Sequence, residues 1–141
     1  MSDKLRGGCL CGAVRYGCDA EPVLTGLCHC RHCQKQTGAP FSIVVGVPQG
    51  SLRIERGTLG TFMDQGDSGQ PVERSFCQRC GSPIRSYCAS MPTLEFIKAG
   101  TLDDTSWLRP TMEIWCEAAQ PWLAADPPTR ACSATRWRTP T

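Results

Sequence analysis

Cys77-Gln78-Arg79-Cys80-Gly81 is the stretch that decides how this chain folds. Two cysteines three apart and followed by glycine form a tight knuckle that presents both sulfurs to one metal. The glycine takes the positive φ the turn needs, and backbone N–H groups point at the sulfurs. A knuckle supplies half of a tetrahedral site, so a second pair must come from elsewhere. Cys9-Leu10-Cys11-Gly12 offers it. Alternate residues of an extended strand share a face, and the flanking Gly7, Gly8 and Gly12 let the backbone turn close to an ion. Cys9, Cys11, Cys77 and Cys80 are therefore assigned to one closed structural zinc site, which ties the first strand to the middle of the chain as a long-range crosslink.

The third cluster, Cys28-His29-Cys30-Arg31-His32-Cys33, divides differently. Three thiolates leave a tetrahedral ion with one vacant position, and a vacancy is where chemistry can happen. The cluster reads as a strand-to-helix turn, where a helix N-terminus favours negative charge and lowers thiol pKa. His29 or His32 is a possible fourth ligand, but each neighbours a ligating cysteine and would converge on the same ion only with strain. Cys88 and Cys116 are alternatives through space. Otherwise Cys18, Cys88, Cys116 and Cys132 read as small buried apolar residues.

Eleven cysteines in a chain of 141 residues fit either a secreted disulfide scaffold or a metal protein. The start, Met-Ser-Asp-Lys-Leu-Arg-Gly-Gly, has no apolar core of a secretion signal, and no run approaches the length of a membrane span, so a cytoplasmic location is expected. Metal ligation is the better reading there, and the odd total counts against complete pairing. The formal charge of +2 assumes neutral thiols. Ionising seven of them and adding two zinc ions brings the balance to about −1. A basic partner surface for nucleic acid is therefore not expected.

Apolar and β-branched residues come in short runs divided by Gly, Pro, Asp and Ser, the pattern of a mainly β fold. Strands are expected over residues 13–18, 23–28, 41–47, 52–56, 59–63, 72–76, 83–88, 94–99 and 111–116. A hairpin turn is expected at Gly57, and residues 64–71 read as a loop between two strands. Only residues 31–37 read as helix, closed by Gly38, with Cys33 in the first turn. The aromatic residues Phe41, Phe62, Phe76, Phe96, Trp107, Trp115 and Trp122 are expected in the core. Residues 1–125 form one domain in this reading, and 126–141 a Pro-rich tail or docked arm. Arg15, Arg31, Lys35, Arg79 and Arg85 lie near the cysteine clusters as candidates for a substrate carboxylate.

Three segments together carry a family resemblance: Gly7-Gly8-Cys9-Leu10-Cys11-Gly12-Ala13-Val14-Arg15-Tyr16, Cys28 through Phe41, and Phe76-Cys77 through Cys80-Gly81-Ser82. The chain resembles the glutathione-dependent formaldehyde-activating enzyme family, also called the centromere protein V/GFA domain family. The resemblance implies an Mss4-like, zinc-stabilised β fold, with a structural zinc on Cys9, Cys11, Cys77 and Cys80 and a functional zinc on Cys28, Cys30 and Cys33. It also implies a carbon–sulfur lyase-type activity on a small thiol–aldehyde adduct, glutathione and formaldehyde being the reactants. Glu113 departs from the pattern, since many similar chains have His there. Two other functions compete: a zinc-stabilised protein-binding module without catalysis, and a redox or metal-buffer protein built on clustered thiolates.

Overall fold

The computed structural model describes residues 5–66 and 69–123. Ten strands run in order: β1 (Leu5–Gly8), β2 (Arg15–Cys18), β3 (Leu24–Cys28), β4 (Ser42–Pro48), β5 (Arg53–Arg56), β6 (Leu59–Gln65), β7 (Pro71–Cys77), β8 (Pro83–Cys88), β9 (Leu94–Lys98) and β10 (Met112–Ile114). A single α-helix among the described residues, α1 (Arg31–Thr37), lies between β3 and β4, and one-turn 3-10 helices occupy Ala99–Thr101 and Cys116–Ala118. The mainly β character is the one the segmented apolar pattern predicts. No described helix is long and apolar enough to cross a membrane.

The chain divides into two compact units. The first comprises Met1–Val23 and Val45–Trp107. It holds an antiparallel sheet in the order β1-β2-β5 and an antiparallel succession β9-β8-β7-β6. Its centre is Tyr16, Cys18, Val45, Val47, Ile84 and Ile97, all fully buried. Each such aliphatic side chain contributes roughly 1.5–3 kcal/mol by leaving water. The Tyr16 hydroxyl is not orphaned by this burial: it donates to Thr101 Oγ1 at 2.8 Å, and Thr101 donates in turn to the Lys98 carbonyl at 2.7 Å.

The second unit comprises Leu24–Val44 and Leu108–Thr141. Here β10 lies parallel to β3, pairing Met112 with Gly26, Glu113 with Leu27 and Ile114 with Cys28. The Thr111 N–H to Thr25 carbonyl bond and the His29 N–H to Ile114 carbonyl bond extend the ladder at both ends. Helix α1 keeps the predicted bounds. Cys30 is its N-cap, with Sγ accepting from the Cys33 N–H, and left-handed Gly38 closes it through the Gln34 carbonyl.

Several expectations are corrected. β5 and β6 do not form a hairpin: β5 pairs with β2 and β6 with β7. Gly57 is a turn at φ +88° whose backbone lies so close to the Ala13 carbonyl that a Cβ would sit 2.3 Å from its oxygen. The turn therefore redirects the chain from one sheet to another. β2 starts at Arg15 rather than residue 13, because Val14 is held by Cys9. β10 stops at Ile114, because Trp115 takes the left-handed conformation and a 3-10 turn follows. Phe62, Trp107 and Trp122, expected in the core, are exposed, whereas Phe96 is buried. The proposed arm at 126–141 lies outside the described residues.

Candidate metal centres

Cys9, Cys11, Cys77 and Cys80 come together in the first unit, their sulfurs all within 4.8 Å of one another. Cys9 and Cys11 Sγ are 3.6 Å apart, and Cys11 and Cys77 Sγ 3.9 Å. A tetrahedron with 2.3 Å zinc–sulfur bonds has edges of about 3.8 Å, so the donor set suits such an ion. Cys9 and Cys11 do not sit on a strand as expected. They form a second knuckle after β1, in which the Gly12 N–H bonds the Cys9 carbonyl, and the Gly81 N–H bonds the Cys77 carbonyl in the same way. Gly12 and Gly81 have φ of +82° and +81°, angles that a Cβ would oppose.

Backbone donors meet the sulfurs, as the knuckle predicts. The Val14 N–H donates to Cys9 Sγ at 3.2 Å, and the N–H groups of Arg79 and Cys80 donate to Cys77 Sγ at 3.3 and 3.4 Å. The Ser82 hydroxyl, then the Ser82 and Cys11 backbone, pull the Cys80 thiol down to about 5. The same hydroxyl accepts from the Leu10 N–H at 3.0 Å, fastening one knuckle to the other. At Cys11 the Ala13 backbone hydrogen bond is outweighed by burial and the neighbouring thiols, which leave that thiol at about 11, so the donors around the group prepare it for a cation while one proton waits to be displaced.

Cys28, Cys30 and Cys33 form the second group, each 8 % exposed. Cys28 ends β3, Cys30 caps α1 and Cys33 lies in its first turn. The expected thiolate character does not hold without an ion. Hydrogen bonds from Cys30 and Cys33 and then burial push the Cys28 thiol far up. Cys28 pulls Cys30 down, but Cys33 and burial outweigh it, leaving Cys30 at about 11. Cys28 and Cys30, buried against neighbouring thiols, keep their protons until a cation displaces them. Ile114 and Trp115 pack against the group. Trp115 does so from the left-handed region, at φ +58°, as the sole non-glycine residue there among those described.

Neither histidine joins the three cysteines. His29 is fully buried, and its Nε2 lies 2.7 Å from Glu113 Oε1, with Phe41 edge-on to the ring at 5.7 Å. Cys116 approaches this pair rather than the cysteine group. In that third cluster one hydrogen bond joins His29 to Glu113, and Cys116 is disulfide-bonded rather than a free thiol. His29 Nδ1 and Glu113 Oε2 are buried without partners. The His29–Glu113 pair went unseen in the sequence. Its only signal was Glu113 standing where similar chains carry His.

Gln34 was also missed. Its buried carboxamide donates to the His29 carbonyl at 2.6 Å and the Ala118 carbonyl at 3.0 Å, holding the cysteine-bearing turn against the 3-10 turn. Of the candidate cations, Arg15 is bound to both oxygens of Asp103 and Arg85 lies 3.2 Å from Glu95. Arg31 and Lys35 remain on the outer face of α1.

The chain is similar to known proteins in sequence and in fold. A protein from Halomonas elongata, provisionally named a glutathione-dependent formaldehyde-activating enzyme, is 28% identical over 103 residues, 70% of this chain. The match spans 66% of that relative's own length. A crystal structure of a Rhodobacter sphaeroides protein shares the fold at TM-score 0.55 and 23% identity, covering 74% of this chain and 91% of the other. The family profile of the glutathione-dependent formaldehyde-activating enzyme matches residues 4–118, taking in all seven clustered cysteines, and the chain belongs to that family.

Proposed function

We propose that this chain is a zinc-dependent, carbon–sulfur lyase-type enzyme that interconverts a small thiol plus an aldehyde with their adduct, as in S-hydroxymethylglutathione formation from glutathione and formaldehyde. In the forward direction the thiol sulfur forms a bond to the carbonyl carbon. The carbonyl π pair moves to oxygen, and the thiol's proton ends on that oxygen. The observation that carries the reading is the buried group of three thiols, Cys28, Cys30 and Cys33, which no histidine closes. Zinc held there would supply a cationic position able to keep a substrate sulfur as thiolate.

The chain's own residues provide the setting. Cys28, Cys30 and Cys33 are the ligands, presented from a strand end and a helix cap. Ile114 and Trp115 make the flank apolar. Gln34 and the His29–Glu113 pair hold the turn that bears the ligands, limiting its loss of order on binding. Cys9, Cys11, Cys77 and Cys80 would hold a second zinc in a structural role, since four thiolates leave no vacancy.

Exchange NMR of glutathione with formaldehyde tests the proposal. Zinc-loaded protein accelerates adduct formation above the spontaneous rate, and Cys30→Ala, folded but short of one zinc, loses the acceleration. Saturating protein that leaves the spontaneous rate unchanged refutes it.

A further inference from the structure

His29, Glu113 and Cys116 bring a ring nitrogen, a carboxylate oxygen and a sulfur within 4.8 Å of one another, in a group distinct from Cys28, Cys30 and Cys33. The left-handed turn at Trp115 folds Cys116 back beside Glu113, three positions earlier. The His29 and Glu113 side chains are 1 % and 3 % exposed, and their mutual bond, Nε2 to Oε1 at 2.7 Å, uses one end of each. With the proton on Nε2, His29 Nδ1 keeps a bare lone pair and Glu113 Oε2 keeps its own, and neither atom has a partner among the described residues. A buried polar atom left so costs roughly 1–3 kcal/mol, and packing alone seldom leaves two on one pair. Both atoms lack a positive partner. What would satisfy them is a proton donor or a metal ion, and the Cys116 sulfur is neither while it is held in a disulfide.

We infer that reduction of the Cys116 disulfide turns His29, Glu113 and Cys116 into a third metal site, which takes a divalent ion of the zinc class on one imidazole nitrogen, the Glu113 carboxylate and the Cys116 thiolate. A dithiol supplies the two electrons and two protons that open the disulfide to two thiols, and closes to its own disulfide. The ion then displaces the proton of Cys116. Until that happens the sulfur carries no charge to offer, since the thiolate is the ligand, and an imidazole with a single carboxylate holds such an ion weakly. One nitrogen, one oxygen and one sulfur are a donor set that borderline divalent ions accept. Zinc with bonds of about 2.0–2.1 Å to nitrogen and oxygen and about 2.3 Å to sulfur spaces its donors roughly 3.3–3.6 Å apart, so the separations within the group change by at most about 1.5 Å. Cys116 is placed to make that adjustment, being partly exposed and at the start of a one-turn 3-10 helix. Its ligands are those of neither zinc centre described above, so the site fills while both of those are occupied.

Equilibrium dialysis of the zinc-loaded full chain against zinc, before and after reduction by tris(2-carboxyethyl)phosphine, tests this by elemental analysis. A phosphine opens disulfides without the zinc affinity of a dithiol. Reduction raises the zinc content of the wild-type chain by about one ion. Cys116→Ser, a small change at a partly exposed position, keeps the fold by circular dichroism and shows no rise. Glu113→Gln keeps an acceptor for His29 but removes the carboxylate, and shows none either. Because each protein is compared with its own unreduced form, the result does not depend on how full the two cysteine centres are. Wild-type zinc that stays level on reduction overturns the inference, as does an undiminished rise in either variant.

Discussion

Trp115 carries a conformation that ordinary packing would not select, and replacing it separates backbone strain from side-chain contact. At φ +58° and ψ +39° its Cβ crowds the backbone, at a cost of roughly 1–2 kcal/mol. Trp115→Ala keeps that cost and loses the indole. Trp115→Gly loses the indole but relieves the strain, offset by roughly 0.4–1 kcal/mol of added freedom in the unfolded chain. The glycine variant is therefore the more stable of the two by about 1 kcal/mol, or about 4 °C in melting temperature for a chain of this size. That order is the reverse of the one found inside a regular helix or strand. Denaturant and thermal melts of the two proteins measure it. Both variants also bare the group on which Trp115 packs. In metal-stripped protein, alkylation of Cys28, Cys30 and Cys33 by iodoacetamide, followed by mass spectrometry, speeds up severalfold in both, while fully buried Cys18 stays protected. Trp115→Phe keeps wild-type rates. An alanine variant as stable as the glycine variant refutes the strain argument, and unchanged alkylation refutes the packing one.

Cys77→Ser addresses the closed site. Cys77 is 1 % exposed, receives two backbone N–H groups, and belongs to both the knuckle and β7. Its loss lowers bound zinc from about two to about one per chain and the melting temperature by roughly 10 °C or more, read by elemental analysis and circular dichroism. Full zinc content with an unchanged melt would count against the assignment. Tyr16 sets an alkaline limit: burial, only partly countered by the Thr101 hydrogen bond, pushes its phenol up to about 12. The unfolded chain ionises from about pH 10, so this contribution is complete below pH 10 and shrinks between pH 10 and 12, by about 3 kcal/mol. Tyr16→Phe removes that pH dependence from denaturant titrations. A parallel decline in wild type and variant assigns it to other groups.

How much could be read in advance depended on how far apart the deciding residues lie. Gly81 after Cys80 and Gly38 after Thr37 are signals contained within a few residues, and knuckle and helix appear where those signals place them. Cys9-x-Cys11 misled because the same spacing serves a strand face and a turn. Gly12 pointed to the turn, and the Val14 N–H on Cys9 Sγ settles it. Gly57 marked a turn, but whether β5 and β6 would pair depended on β2 and β7 competing for them, which no local pattern encodes.

The candidate centres divide along the same line. Thiol chemistry and spacing within each cluster determined the donor sets, the short helix and the mainly β character, because a cysteine's reach to an ion is a matter of a few backbone bonds. Only tertiary structure brought Glu113 to His29 across 84 positions and placed Gln34 against Ala118 over the same separation. It likewise turned Trp115 onto the cysteines, left Arg31 and Lys35 beside an open cavity, and kept Cys28 and Cys30 protonated. Burial and partnership are properties of the assembled chain, since water leaves a group only when distant segments close over it.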